Sequence, residues 1–456
     1  TNLSVPPGMA CATCHDPAAG FAGPDSDINA TQVAYPGAIS KRAGNRKPPT
    51  AAYGDFSPVM FYDAAEGLVV GGQFWDGRAT GWTLGSPLAE QALGPFLNPL
   101  EQNMPNKLTV LNMIARSDYA ADFEAVWGVS LLAAAGDVDA LYDMVGLSIA
   151  AFEASGEFNL FTSKYDYYLQ GMAELTALEA EGLALFEDAA QCNLCHISEL
   201  GPEGELPLFT DFTYDNLGIP ANYDLPFYTQ HKRFNPEGMA WWDRGLGGFL
   251  ATVPSVPGYT GDMALLAEEN LGKFKVPTLR NVDHRPSPDF VKAYGHNGFF
   301  KSLEEITDFY NTRDVATRDW PAPEFGATMN TDELGDLGLS TDDVNAVVAF
   351  MKTLTDGYMP AAVAKAAPES RVQFSRVFNR DPGQPQTFRF VLPADSNVRL
   401  EVFNIRGQRV AELENGHVGA GEHQRTLGVD RLAAGVYLAR LVTDTEIKTA
   451  KFTFVK

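Results

Sequence analysis

Apolar positions along the chain follow two periods, and the change from one to the other predicts its architecture. Between Lys107 and Trp127 the residues Leu108, Leu111, Ile114 and Ala115 recur at helical spacing, as do Leu141, Val145, Ile149 and Phe152 between Val138 and Phe152. Thr176 to Cys192 reads as a further helix. Ser302-Leu303-Glu304-Glu305 has the form of a capping box, and Ser340 to Asp343 opens another helix running to about Leu354. Residues 197–275 are rich in Gly, Pro and aromatic residues and predict long ordered loops. Beyond the small-residue stretch Pro360 to Arg371, which predicts a linker, the period becomes two. Phe388, Phe390 and Leu392 alternate, then Val398, Leu400, Val402 and Phe403, then Val436, Tyr437, Leu438 and Leu441, then Phe452 and Phe454, with turn signals at Arg406-Gly407, Asn415-Gly416 and Ala434-Gly435. The prediction is a mainly α body followed by a small all-β, Ig-like sandwich.

At 456 residues there is room for three compact units, and 20% charged with 45% hydrophobic residues is a globular composition. No run reaches the roughly 18 apolar residues a membrane span needs. The chain starts ten residues before a cysteine motif, so an export signal is expected to have preceded it. The net charge of -24 is uneven: from Arg371 onward 13 Lys or Arg meet 9 Asp or Glu, a balance of +4, which leaves -28 on residues 1–370. Such a body disfavours nucleic acid and anionic membranes, and suits either simple solubility or a basic partner.

Cysteine usage decides the chemistry. All four cysteines fall in two copies of one pattern, Cys11-Ala12-Thr13-Cys14-His15 and Cys192-Asn193-Leu194-Cys195-His196. C-x-x-C-H is the attachment signature of haem c: the two thiols bond the porphyrin and the adjacent histidine meets the iron. Disulfides, a thioredoxin-like motif and zinc are the competing readings. Zinc needs two pairs sharing one metal, and a redox motif has no reason to be followed by His twice. Covalent haem attachment places the chain outside the cytoplasm, in the periplasm or beyond. No histidine lies between His15 and His196, so the first haem takes no second histidine from its own region, although Met60, Met104, Met113 and Met144 are available there.

Gly72-Gln-Phe-Trp-Asp-Gly-Arg78, Pro87-Leu-Ala-Glu-Gln-Ala92 and Gly94-Pro-Phe-Leu-Asn-Pro-Leu-Glu101, with Phe274-Lys-Val-Pro-Thr-Leu-Arg-Asn281, Tyr294-Gly-His-Asn-Gly298 and Ser302-Leu-Glu-Glu305, resemble the bacterial di-haem cytochrome c peroxidases and MauG-type enzymes. The resemblance covers residues 1 to about 359. It implies a cytochrome c-like lobe at 1–165 with a peroxide-binding haem and a second lobe at 166–359, followed by the linker 360–371 and the sandwich 372–456. Trp75 matches the tryptophan that relays electrons or holes between the haems. Gln91, Pro95 and Glu101 match the distal pocket, where Glu101 is the acid–base group, Gln91 orients the ligand and Pro95 narrows the space. His15 and His196 match the proximal ligands.

In the peroxidases the second haem's sixth ligand is a methionine 14 residues after the histidine of the His-x-Gly segment. Counting from His296 gives Tyr310, the MauG-type residue, which shares a helix face with Leu303 and Ile306. Met329, Met351 and Met359 stay open as alternatives. A phenolate favours oxidised iron where a thioether favours electron uptake, so Tyr310 implies an enzyme that shares oxidising equivalents between its haems and oxidises a cytochrome or a protein side chain. Residues 16–49 hold no histidine to block the first haem, which implies activity without reductive activation. Calcium between the lobes, bound by some relatives, is left open: Lys47 stands where they have asparagine, while carbonyls near Val291 and Ala293 remain. His231, His284, His417 and His423 read as surface or supporting residues.

FNIRGQRVAEL and LAAGVYLARL resemble FlgD-type Ig-like modules, some of which are sorting signals of the type IX secretion system. The expected function is reduction of hydrogen peroxide by an exported, dimer-capable di-haem enzyme. The competing function is a pure electron-transfer cytochrome displayed at the cell surface, and the module is alternatively an interaction domain.

Overall fold

The computed structural model describes residues 3–131, 137–201, 204–360, 373–377, 386–404, 409–428, 432, 435–444 and 447–454. Contacts divide the chain into two compact units: Thr1–Ser117 with Leu131–Pro360, and Asp118–Ser130 with Ala361–Lys456. Apart from Pro360, the linker lies outside the described residues, as do the turns at Arg406-Gly407 and Ala434.

The larger unit is helical with long connections, and side-chain caps fix where its helices start. Ser86, Asn106, Asp137 and Ser163 each accept a backbone N–H to open Pro87–Leu97, Lys107–Ile114, Val138–Glu153 and Lys164–Leu169. Thr176 and Ser340 form full capping boxes for Ala177–Glu187 and Thr341–Lys352. Ser302 caps Leu303–Thr312, but the Glu305 carboxylate turns to the N–H of Lys301 instead of closing the expected box. The single helix expected from Lys107 to Trp127 is two, because Ser117 bonds back to the carbonyl of Ile114 through both its N–H and its hydroxyl. The second, Ala120–Trp127, falls in the smaller unit. The expected loop region 197–275 holds two short helices, Gly245–Leu250 and Met263–Glu269.

Helices Ala177–Glu187 and Thr341–Lys352 pack across a core of Phe186, Phe209, Phe300, Phe309 and Phe350, all essentially inaccessible. The buried Arg280 guanidinium grips Asp166 with two hydrogen bonds at 2.8 and 3.0 Å and lies over the rings of Tyr53 and Phe161. Near the end of this unit, Asp356 accepts from the Tyr53 hydroxyl at 2.7 Å, from Asn281 Nδ2 at 2.8 Å and from the Thr162 N–H at 2.9 Å.

The smaller unit carries the strands. Ile447–Phe454, Gly435–Val442, Ser396–Asn404 and Arg409–Val418 form one antiparallel sheet in that order, and Gln373–Val377, Gln386–Leu392 and Gly421–Leu427 a second. Alternate residues of both sheets, among them Phe388, Phe390, Val398, Leu400 and Leu441, share one core, as in a sandwich. Glu401 breaks the alternation beside a register shift; it is buried and held by Arg409 at 2.8 Å and Arg440 at 2.9 Å.

Candidate active site

Both C-x-x-C-H motifs fold alike. Cys11–Thr13 and Cys192–Leu194 are single 3-10 turns, and the N–H groups of His15 and His196 close onto the carbonyls of Cys11 and Cys192 at 3.0 and 2.9 Å. Each imidazole then meets a backbone carbonyl through Nδ1: His15 reaches Phe21 at 3.1 Å and His196 reaches Phe209 at 2.8 Å. A carbonyl only accepts, so Nδ1 carries the proton and Nε2 keeps its lone pair, the tautomer an iron ligand needs. Both phenylalanines are left-handed, with φ of 56° and 53°, which turns their carbonyls toward the rings. Burial keeps the imidazoles neutral, pulling His196 down to about 4 and lowering His15 as well. It also pushes the Cys14, Cys192 and Cys195 thiols up to about 12, opposite to the depressed values of reactive or zinc-bound cysteines.

The likeness extends past the motifs. Thr50 Oγ1 donates to the carbonyl of Gly20, just before Phe21, at 2.8 Å; Thr278 Oγ1 donates to Leu208, just before Phe209, at 2.6 Å. The loop around Trp75 is closed by a bridge from Gln73 to Ala79, and the loop around His296 by one from Tyr294 to Phe300. A serine-capped helix follows each. Tyr310 lies eight residues past its cap Ser302, and eight past Ser86 is Gly94, which has no side chain to offer a metal.

Cys192, Cys195, His196 and Tyr310 line one cavity, walled by apolar side chains including Phe186, Leu279, Leu303, Ile306, Val347 and Met351. Two thiols, a neutral imidazole with a free Nε2 and an apolar box fit a covalently held haem. Burial raises the Tyr310 phenol far above its ordinary value. Of the methionines that competed with it, Met359 is 80% exposed, Met329 packs beside Gly218 outside the cavity lining, and Met351 shares the cavity.

The same cavity reaches Trp75, Lys47 and His296. Trp75 is buried, its Nε1 donates to the Lys47 carbonyl at 2.9 Å, and the Lys47 N–H donates to the carbonyl of His296 at 2.9 Å. His296 stacks on Phe274 with ring centroids 3.6 Å apart, and its Nε2 lies 3.1 Å from Glu324.

Glu101, Gln91 and Pro95 belong to a separate segment. Gln91 and Pro95 are one turn apart on Pro87–Leu97, and Glu101 follows the end of that helix. Asn98 Nδ2 donates to Glu101 Oε1 at 2.9 Å, and the Ala38 N–H holds the Glu101 carbonyl at 2.7 Å. Desolvation raises the proton affinity of the Glu101 carboxyl, partly offset by the Arg78 charge and the Asn98 bond. Glu101 in turn raises the Cys14 thiol, which relates this carboxyl to the first motif.

Calcium does not fit the residues where it was left open. Lys47 is buried there, the Val291 carbonyl is taken by Asn29 at 3.0 Å, and the Lys292 ammonium donates to the carbonyls of Ala19, Asn281 and His284 at 2.8–3.1 Å. At the asparagine position the chain offers an ammonium, Lys47, and no side-chain oxygen ligand. No cluster of three His, Cys, Asp or Glu suited to a metal occurs among the described residues. Of the histidines read as supporting, His284 is the one drawn into this cluster, through its carbonyl. Sequence reasoning missed Lys292, the Arg46 that bridges Asp76 and Asp243 at 2.6–2.7 Å, and Glu153, a buried carboxyl whose Oε2 has no hydrogen-bond partner. The paired Pro-Thr steps at 49–50 and 277–278 were the available signal for the repeat.

Residues 1–174 match the di-haem cytochrome c peroxidase (CCP_MauG) family, and residues 384–456 match the secretion system C-terminal sorting domain. Over 362 residues the chain is 35% identical to the methylamine utilization protein MauG of Paracoccus denitrificans, covering 76% of this chain and 84% of that one. It is 27% identical to the cytochrome c551 peroxidase of Nitrosomonas europaea over 62% of this chain and 61% of that one. The diheme peroxidase BthA from Burkholderia thailandensis superposes with a TM-score of 0.63 at 29% identity, over 78% of this chain and 83% of that one. The sorting domain marks an exported protein, and no helix among the described residues is long and apolar enough to cross a membrane. The chain belongs to the di-haem cytochrome c peroxidase and MauG family of haem-dependent oxidoreductases.

Proposed function

We propose that the chain reduces hydrogen peroxide beside Glu101, drawing electrons from a small cytochrome or from a side chain of another protein. In this reading residues 1–165 and 166–359 are the two haem lobes. Cys11, Cys14 and His15 hold one haem, and Cys192, Cys195, His196 and Tyr310 hold the other. The haems, when bound, supply the redox-active iron and the capacity to spread oxidising charge over two centres.

The observation that carries the reading is the setting of Glu101. Its Oε1 is tied by Asn98, which leaves Oε2 to take a proton from one peroxide oxygen and return it to the other. Desolvation raises the carboxyl's proton affinity toward the range where such a shuttle works in both directions. Gln91 and Pro95, a helical turn apart, orient and confine the small substrate. Support for an open face on the first side comes from Gly94 at the position corresponding to Tyr310, and from Met60, which is buried against Gly72 and Gly77. Tyr310, which lines the same cavity as Cys192, Cys195 and His196, supports the second side as its counterpart. Trp75, held by its indole N–H, is the relay between them. A simple electron carrier has no use for a proton-carrying carboxyl at the first haem, so that reading is not favoured.

Anaerobic titration of the fully ferric protein with hydrogen peroxide tests the proposal. Spectral conversion of both haems by about one equivalent, without prior reduction, is expected. Reactivity confined to the half-reduced protein would make it a gated peroxidase and overturn the Tyr310 assignment. Silence in both states would leave an electron carrier.

A further inference from the structure

An open cleft in the larger unit is lined by Ile39, Lys41, Arg42, His231, Arg233 and Phe234 together with Thr229 and Gln230, without a carboxylate. This is unexpected in a chain with 58 acidic and 34 basic residues. It arises because two acid-free stretches meet there. Ile28 to Gly54 contains Lys41, Arg42, Arg46 and Lys47 with no Asp or Glu, and Leu225 to Pro236 contains His231, Lys232 and Arg233 with none. Lys41, Arg42, Lys232 and Arg233 form no ion pair among the described residues, in contrast to Arg46, which is buried between two carboxylates. The Arg42 and Arg233 guanidiniums lie 4.8 and 5.7 Å from the centre of the Phe234 ring, which holds the two charges near one another.

The cleft is fastened to the segment that carries Glu101. Arg42 Nη1 donates to the Pro99 carbonyl at 3.2 Å and to Asn103 Oδ1 at 3.1 Å. The Ala38 N–H bonds the Glu101 carbonyl, and a Cβ on Gly37 would come within 2.2 Å of the Leu100 carbonyl oxygen. Whatever binds the cleft is therefore seated against the loop that positions the proton-carrying carboxyl.

We propose that this cleft docks an acidic segment of a protein partner, the reductant of the peroxide reaction; the reductant role rests on the function proposed above. Each peroxide taken to two waters withdraws two electrons from the partner and consumes two protons. A polypeptide fits better than a small anion, because Lys41, His231 and Arg233 are exposed and would leave a small ligand largely in water. In sequence, the exposed apolar side chains Tyr223 and Met239, 63% and 58% exposed, flank the basic segment on either side. The net negative charge of the body does not prevent this. Beyond about 8 Å it is screened at physiological salt, and the unpaired cations govern the last approach.

Fluorescence anisotropy of a labelled decaglutamate peptide with the haem-loaded full-length chain tests the surface, at about 20 mM and about 200 mM NaCl. Saturable binding is expected at low salt and weaker binding at high salt. Lys41→Glu and Arg233→Glu should each weaken it by about tenfold or more, while the exposed Arg116→Glu, carrying the same charge change elsewhere, should shift it less than about twofold. Absence of binding, or equal weakening in all three variants, would overturn the proposal. So would full displacement of the peptide by inorganic phosphate at low millimolar concentration, which would indicate a small-anion site. Binding is read without peroxide, so its failure is distinct from failure of the peroxide titration.

Discussion

Trp75 donates its indole N–H to the carbonyl of Lys47 at 2.9 Å, while the ammonium of the same lysine lies 5.8 Å from the centre of the indole ring. One residue therefore fixes the ring and sets the charge beside it. A cation near an aromatic ring stabilises the neutral ring and makes its oxidation harder.

Burial lowers the Lys47 ammonium to about 8. Above that pH the neighbouring positive charge is lost and Trp75 should become easier to oxidise. Peroxide-driven oxidation of Trp75, followed by mass spectrometry of the indole, is expected to rise as pH passes upward through about 8. Lys47→Met should remove the dependence; a persistent step would assign it to another group.

Glu101→Gln should slow the reaction with peroxide by about 10²–10⁴-fold while leaving haem attachment and the resting spectrum intact. Because the carboxyl acts as a base only when ionised and its proton affinity is raised, the wild-type rate should climb with pH through a midpoint above that of an ordinary glutamate. Asn98→Ala removes a hydrogen bond to the ionised form and should move the midpoint higher still. Stopped-flow rates across pH decide both points.

Under the proposed ligation, Tyr310→Met exchanges a phenolate for a thioether. The potential of the second haem should rise, within the roughly 0.8 V span that axial ligands command. The spectrum of the second haem should change while the first keeps its own. An unaltered potential would give the ligand role to Met351, which shares the cavity.

Burial raises the Glu153 carboxyl to about 7, and its Oε2 is unpartnered. An unfolded glutamate ionises near 4.3. Between those values the folded chain binds more protons than the unfolded one, so this group's contribution makes stability fall as pH rises toward about 7. Glu153→Gln should therefore gain on the wild type progressively from about pH 4.5 to 7 in urea unfolding, with little difference below that window.

Arg280→Met leaves Asp166 buried without its partner and should reduce stability by about 3–5 kcal/mol, read from the urea midpoint at constant slope. Loss of less than about 1 kcal/mol would mean that water replaces the guanidinium.

Both cysteine motifs, the helix at Val138, the caps at Ser302 and Ser340 and the alternation of the sandwich were legible because each is a local pattern. The internal repeat was not, because its spacing drifts. Corresponding positions lie 181 residues apart at Cys11 and Cys192, 228 at Thr50 and Thr278, 221 at Trp75 and His296, and 216 at Ser86 and Ser302, so no fixed period exists to detect. Lys292 and Arg46 went unremarked, since nothing near them in sequence announces that distant carbonyls and carboxylates surround them. The basic cleft escaped notice for a related reason: net charge summed over 370 residues hides a local surplus created by two segments nearly 190 residues apart.

Asp356 closes against Tyr53, Thr162 and Asn281, partners that lie 75 to 303 residues upstream. A chain emerging from a membrane channel N-terminus first would expose Cys11 and Cys192 long before Asp356 arrives. The cytochrome maturation machinery would meet both attachment motifs in a body whose final clasp is still missing. Haem attachment at Cys11 and Cys192 and the closing contacts of Asp356 are thereby separated along the chain.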